Sequence, residues 1–288
     1  MGRLERILNK ADDFKEAGRL NEAINELIKA QKIAPKDPEV YLSFALTYDA
    51  MDNFDASIPY FQKALELDPV DSYILTQFGI TLGRMGKYSK ALKAFQNAIQ
   101  VDPGYSFAKW NIALTLRTLG YYEAAIEIFS ECSNTDNDSE YIKSELHYQL
   151  GLCYFDMGWT KEALQEFRRQ TSTHPGDPWA NLSIGNCYLD YGWIDESIKK
   201  FKELIDSQPE FIPAYNSLAF SLAEKGWYEE AIEVLRQALV ISPGDESVLD
   251  NMDYIQSLKE DEDGFRGFFL SLLLQIIKSK LTPERSRT

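Results

Sequence analysis

The stretch SYILTQFGITLGRMGKYSKALKAFQNAIQVDPGY, residues 72–105, decides the fold. Leu75, Phe78, Gly79 and Leu82 are spaced by three and four, which places them on one stripe of a helix. Gly86 suits the left-handed residue that ends a helix. Beyond it Ala91, Phe95 and Ala98 repeat the spacing on a second helix, which Pro103 cannot continue. Gly79 and Ala91 are small where two antiparallel helices would approach closest, so the stretch predicts a helical hairpin.

The hairpin is a word that recurs. Its terminal proline stands at Pro35, Pro69, Pro103, Pro175, Pro209 and Pro243, and every interval but one is 34 residues. The exception, Pro103 to Pro175, is 72 residues, two words plus four inserted residues, with Asn137 where the missing proline would be. Seven words therefore span residues 4–245. The small residue of the first helix reads Ala11, Ala45, Gly79, Ala113, Gly151, Gly185, Ala219. That of the second reads Ala23, Ser57, Ala91, Ala125, Ala163, Ser197, Ala231, four positions before Leu27, Phe61, Phe95, Phe129, Phe167, Phe201, Leu235.

On these small, aromatic and proline positions the chain resembles the tetratricopeptide repeat (TPR) family. The resemblance implies an all-α fold, a right-handed superhelical solenoid of about seven helix pairs, with a concave groove lined by each first helix. The family's chaperone-tail binders use a clamp of Lys, Asn and Arg, whereas this groove offers Leu8, Asp12, Ser43, Tyr73 and Gln77, so that activity is not carried over.

The insertion, near residues 140–143, amounts to about one helical turn, so the fifth first helix is expected to be longer and the array to bend there without a domain boundary. Asp138 or Ser139 would cap that helix, as Asp37-Pro38 and Asp177-Pro178 cap theirs. Pro59, inside a second helix, predicts a local irregularity. Gln170 and Leu204 replace the usual small residue and put standard stacking in doubt there.

After residue 245 the pattern changes. Residues 246–258 read as a capping helix with Val248, Leu249, Met252 and Ile255 on its apolar stripe, followed by an acidic linker at 259–264. Residues 265–281 form a broad amphipathic helix whose apolar face includes Phe265, Phe268, Phe269, Leu272, Leu273, Ile276 and Ile277, and 282–288 are a basic tail. The uninterrupted apolar run, 268–277, is about 15 Å long as a helix, half of what a bilayer needs. Residues 264–288 carry a net +4. Three readings stay open for this segment: a fold-back cap, contact with an anionic membrane surface, or pairing with a second copy or a partner's groove.

Composition narrows the function. A net charge of −15 over 288 residues argues against nucleic acid, which needs clustered Lys and Arg. The N-terminal residues lack the apolar run of a secretion signal, and Cys132, Cys153 and Cys187 without any Cys-x-x-Cys read as buried thiols of a cytoplasmic protein. No catalytic or metal constellation is legible: His147 and His174 stand apart from any nucleophile or ligand set, the glycines mark turns, and no cofactor motif occurs. What remains is a non-enzymatic scaffold that binds a protein or peptide. The second stripe of each first helix reads Tyr73, Thr76, Ile80, Gly83; Phe107, Trp110, Leu114, Arg117; Glu145, Tyr148, Leu152, Phe155; Trp179, Leu182, Asn186, Leu189; Pro213, Asn216, Phe220, Ala223. Tyr73, Phe107, Trp110, Arg117, Tyr148, Phe155, Trp179, Leu182 and Phe220 are the candidate partner contacts, with Trp110 and Trp179 as joint anchors. The competing class is a peripheral membrane assembly factor held by the C-terminal helix.

Overall fold

The computed structural model describes residues 2–132 and 140–281, with the backbone alone at 266–269, 271, 272 and 274–281. The described residues form fifteen α-helices and no strand. They pair in chain order: α1 (Arg3–Glu16) with α2 (Leu20–Ile33), α3 (Pro38–Ala50) with α4 (Phe54–Leu67), α5 (Ser72–Arg84) with α6 (Tyr88–Val101), and α7 (Ser106–Thr118) with α8 (Tyr122–Cys132). Then come α9 (Glu140–Asp156), α10 (Thr160–Thr173), α11 (Pro178–Asp190) with α12 (Ile194–Ser207), α13 (Ile212–Glu224) with α14 (Tyr228–Ile241), and α15 (Glu246–Leu281).

The periodic residues make the core. Phe61, Phe95, Phe129, Phe167 and Phe201 are fully buried, as are Leu27 and Leu235 at the ends of the series. The small residues four positions earlier are buried with them. Serine substitutes for alanine because its hydroxyl is satisfied at home: Ser57 Oγ donates to Phe54 O and Ser197 Oγ to Ile194 O. Gln170 is buried with its Nε2 donating to Asp177 Oδ2 at 3.1 Å, and Leu204 packs into the core.

Turns within pairs depend on the left-handed region. Gly86 has φ +72°, and Lys87 N–H donates back to Leu82 O at 2.9 Å, closing the helix end. In the second pair Asp52 takes this conformation at φ +55°. Helix starts are capped where the sequence predicts it: Asp37 accepts from Glu39 N–H, Asp177 from Trp179 and Ala180 N–H.

Four expectations meet a different or sharper outcome. First, the helices group into two compact units, Met1–Met157 (α1–α9) and Gly158–Thr288 (α10–α15). Second, α9 is 17 residues long against 13 for α3, α5, α7, α11 and α13, which is the inserted turn. Third, α4 runs unbroken through Pro59, with the same 14 residues as α2 and α6. Fourth, the acidic linker at 259–264 does not exist as a break: α15 is one helix of 36 residues. The run contains no proline, a lone Gly264 costs a helix only about 1 kcal/mol, and Lys259 Nζ pairs with Glu229 at 2.8 Å to hold that turn against α14. Val248 and Ile255 are buried in the core of the second unit with Met252 against them, whereas Leu249 is exposed. The caps at Asp138 and Ser139, Asn137 and the tail 282–288 lie outside the described residues, as do the side chains of Phe268, Phe269, Leu272, Ile276 and Ile277.

The closest helix approach gives a stability test. A methyl group added at Gly79 would lie 2.4 Å from Phe95 Cε1, and one at Gly185 2.3 Å from Phe201 Cε1. Overpacking costs about 1–3 kcal/mol, and alanine's helix propensity returns up to about 1. Gly79→Ala and Gly185→Ala are each expected to lose about 1–2 kcal/mol in equilibrium urea unfolding, and a gain in either would show that the ring moves aside freely.

Candidate partner-binding groove

Within each unit the helices are unequally spaced. First helices touch the next first helix (α1 with α3, α3 with α5, α5 with α7, α7 with α9; α11 with α13), and α13 also touches α15. Successive second helices make no comparable contact among the described residues. The first helices are thus the ones that neighbour each other along each unit, and the candidate residues lie on them.

Aromatic side chains cluster at α7 and its neighbours in the first unit. Tyr105, at the N-cap of α7, meets Phe107 at 6.4 Å between ring centroids, edge to face. Trp110, one turn on, meets Phe129 at 4.8 Å beneath it and Tyr141 of α9 at 6.4 Å beside it, both edge-on. Burial pushes the Tyr105 phenol up, with Tyr73, Asp71 and Asp102 adding to it. Burial also raises Tyr141, with Glu145 adding. Tyr105, Phe107, Trp110, Asn111, Leu114 and Tyr141 together line an open cavity of about 540 Å³. Asn111 Nδ2 donates to Phe107 O at 2.7 Å, tying one wall to its own helix. The Trp110 Nε1–H is buried and has no hydrogen-bond partner.

The candidates divide by burial. Tyr73 (45% exposed), Trp179 (50%) and Phe220 (43%) are surface residues. Phe107, Tyr148 and Phe155 are half-buried. Trp110, only 1% exposed, and Leu182 are core, which corrects the expectation that Trp110 is an exposed anchor: Phe129 and Tyr141 cover its ring. Arg117 is half-buried and faces Asp156 of α9 at 3.8 Å, bridging neighbouring first helices. Trp179 and Trp110 belong to different units, and Trp179 packs edge-on against Phe211 at 5.0 Å. Phe265 and Leu273 of α15 are exposed.

Tyr105 and Tyr141 are the lining residues that sequence reasoning missed. The last residue of one word and the inserted turn of another fall outside the stripe. A bulky aromatic at the cap just before Phe107, and one inside the insertion, were the available signals.

The rest of the chemistry is quiet. Cys132, Cys153 and Cys187 are buried and in no disulfide; burial pushes the Cys153 and Cys187 thiols to about 12. Arg117 opposes that shift at Cys153. His174, exposed at the end of α10, lies 2.9 Å from Thr173 Oγ1 through its Nδ1, and His147 is half-buried in α9. No three His, Cys, Asp or Glu side chains converge among the described residues. No described helix is long and apolar enough to cross a membrane.

Models of the tetratricopeptide repeat match residues 38–71, 108–139, 144–175 and 212–245, and a second model of the same repeat matches 60–93, together more than half of the chain. Among solved structures, a tetratricopeptide repeat protein from Parabacteroides merdae superposes with a TM-score of 0.69 at 15% identity, covering 88% of this chain and 98% of that one. A chain of the APC/C hetero-tetramer Cut9–Hcn1 gives 0.65 at 17%, covering 85% of this chain and 48% of its own. The C-terminal part of a repeat protein from Cytophaga hutchinsonii gives 0.58 at 17%, covering 85% and 99%. No curated protein matches the chain in sequence.

Burial separates the two tryptophans experimentally. Trp110→Ala is expected to cost about 3–5 kcal/mol of stability, as truncation of a buried aromatic does. Trp179→Ala should cost about 1 kcal/mol, the scale of its edge contact with Phe211. Urea titrations of the two variants that reverse this order would return Trp110 to the surface.

Proposed function

The chain belongs to the tetratricopeptide repeat family, and from that premise we propose that it is a non-enzymatic adaptor whose first unit holds a segment of a protein partner across α5, α7 and α9. The observation that supports this reading is the aromatic cavity of about 540 Å³ at α7 and α9. Its lining is aromatic and aliphatic apart from Asn111, so it fits one large apolar side chain of an extended or helical segment. Burying such a side chain contributes about 1.5–3 kcal/mol, tenfold or more in affinity. Tyr73, Phe107, Tyr148 and Phe155 are then the flanking contacts in this unit. Arg117 serves the wall through Asp156. Trp179 and Phe220 are exposed aromatics on the first helices of the second unit, available to the same or another partner. Three buried cysteines outside any disulfide fit a reducing cytoplasmic setting.

A second reading rests on α15. Phe265, Leu270 and Leu273 are exposed on its distal half, followed in sequence by basic residues, which suits contact with an anionic membrane surface or a second copy. If the intact chain and a 1–263 truncation sediment alike with anionic vesicles and share one oligomeric state, this reading is dropped.

For the groove, twelve-residue random peptides panned on the full chain should converge on sequences with one large apolar residue. Phe107→Ala and Leu114→Arg are expected to weaken the selected peptides about tenfold or more while leaving the melting temperature within a few degrees. Peptides that bind Leu114→Arg as tightly as the unaltered chain would refute the site.

A further inference from the structure

A second cavity, of about 450 Å³, opens between α4 and α6, the second helices of two successive pairs, with α5 as its floor. Ile58 and Leu65 of α4, Leu75, Phe78 and Leu82 of α5 and Ala94 of α6 make it apolar. Its rim is not. Lys87, Lys90 and Lys93 follow one another at intervals of three residues, so they stand along one edge of α6 over about 9 Å. All three are exposed, and none of them is ion-paired among the described residues. The one side-chain hydrogen bond they make there is a weak one, from Lys87 Nζ to Met85 Sδ at 3.8 Å. Neither α5 nor α6 carries an acidic residue. On α4 the carboxylates are Glu66, held by Lys63 at 2.8 Å, and Asp55, which faces three ammonium groups alone.

Neither the repeat nor the helix calls for lysine at these places. Where the third word has Lys90, the other six have Glu22, Ala56, Ala124, Glu162, Glu196 and Glu230. Cations in a first turn oppose the helix dipole, which favours carboxylates, and α6 is the one second helix among the described residues whose first turn has no carboxylate. Lys87 as its N-cap offers no acceptor to the first-turn amides. The three side chains therefore act against their own helix, and they do so in a chain whose net charge is −15. What they border is an apolar cavity, and α4 and α6 make no substantial contact that would close it.

We propose that the cavity between α4 and α6 docks an acidic amphipathic helix of a partner protein, its apolar residues entering over Phe78 and its carboxylates meeting Lys87, Lys90 and Lys93. Charge decides the occupant. Three ammonium groups spread over about 9 Å match carboxylates on successive turns of a helix, about 5.4 Å apart, whereas a single-headed anion such as a fatty acid would engage one of them. Exposed ion pairs contribute little by themselves, so the apolar floor supplies the affinity and the lysines set the orientation and the sign of the partner. The cavity shares no lining residue with the aromatic one at α7 and α9 and does not depend on that reading.

The test uses the full chain and a fluorescein-labelled helical peptide built of Leu-Glu-Glu-Leu blocks, read by anisotropy at about 150 mM salt. Lys90→Glu/Lys93→Glu is expected to weaken binding by about tenfold or more. Its melting temperature should not fall, because both positions are exposed and glutamate suits that end of the helix. Lys90→Arg/Lys93→Arg, which keeps the charge, should stay within about threefold of the unaltered chain. Lys161→Glu/Lys202→Glu in the second unit makes the same change of net charge, and an equal loss there would reduce the interaction to bulk attraction and overturn the proposal. A Ser-Glu-Glu-Ser peptide that binds as tightly as the leucine one would remove the floor from the site and overturn it too. Loss of the leucine peptide in Phe107→Ala would place it in the aromatic cavity, with the same consequence. Failure of the unaltered chain to bind the peptide also overturns the proposal, and lysine-dependent binding to phosphatidylglycerol vesicles in that case would assign the rim to a membrane surface.

Discussion

The structure depends on one contact, made at the place where the two helices of a pair approach closest. At Gly79 and Gly185 a first-helix glycine faces a ring of the second helix, and the fit is so close that even a methyl group would overlap Phe95 or Phe201. The large partner is fully buried wherever the word recurs, from Leu27 through the five phenylalanines to Leu235. Burying each ring contributes about 1.5–3 kcal/mol, which a single hairpin cannot convert into stability because its other faces stay wet. Stacking supplies the missing cover: α3 lies on α2, α5 on α4, and α11 on α10 and α13 on α12 in the second unit. The helix pair is therefore the unit of sequence, and the stack is the unit of stability.

This explains which parts of the protein were legible beforehand. Positions that face their own partner helix recur with the word, so the period alone identifies helices, turns and the small and large core residues. Positions that face the next pair do not follow from a helical wheel, which gives an angle and not what lies opposite. Trp110 has the angle of a groove residue and is core, because Phe129 rises against it from α8 and Tyr141 comes over it from α9. Leu182 is buried at the equivalent angle. Tyr105 and Tyr141 belong to the parts of the sequence that do not repeat, and the cavity owes its walls to them. The longer α9 is thus more than a spacer: its added turn carries the residue that closes one side of the cavity.

The C-terminal helix shows a second limit of composition. An acidic run with a glycine resembles a linker when read as residue types, but linkers form where helical hydrogen bonds are interrupted or nothing holds the next turn. Here the run has no proline, its glycine costs less than a broken helix, and the Lys259–Glu229 pair fixes the preceding turn on α14. The acidic side chains remain solvated on a continuous helix, and the apolar distal half is carried on the same rod as the cap.

The turn between paired helices separates what the backbone dictates from what it leaves open. Arg19, Asn53, Lys87, Trp159, Trp193 and Trp227 share one cap geometry, with φ between −85° and −92° and ψ between 53° and 71°. A conformation that accepts arginine, asparagine, lysine and tryptophan selects none of them, so the side chain there is not chosen by the fold. Glycine before it is chosen by the fold in five of these six turns, and Asp52 takes its place in the sixth. Local backbone demand thus ends at the glycine, and the next residue is free to serve the surface. In the first unit Asn53 uses that freedom to cap its helix, and in the second unit the tryptophans give up the cap and expose a ring. The two units are built from the same word, and this is a position that the word leaves open.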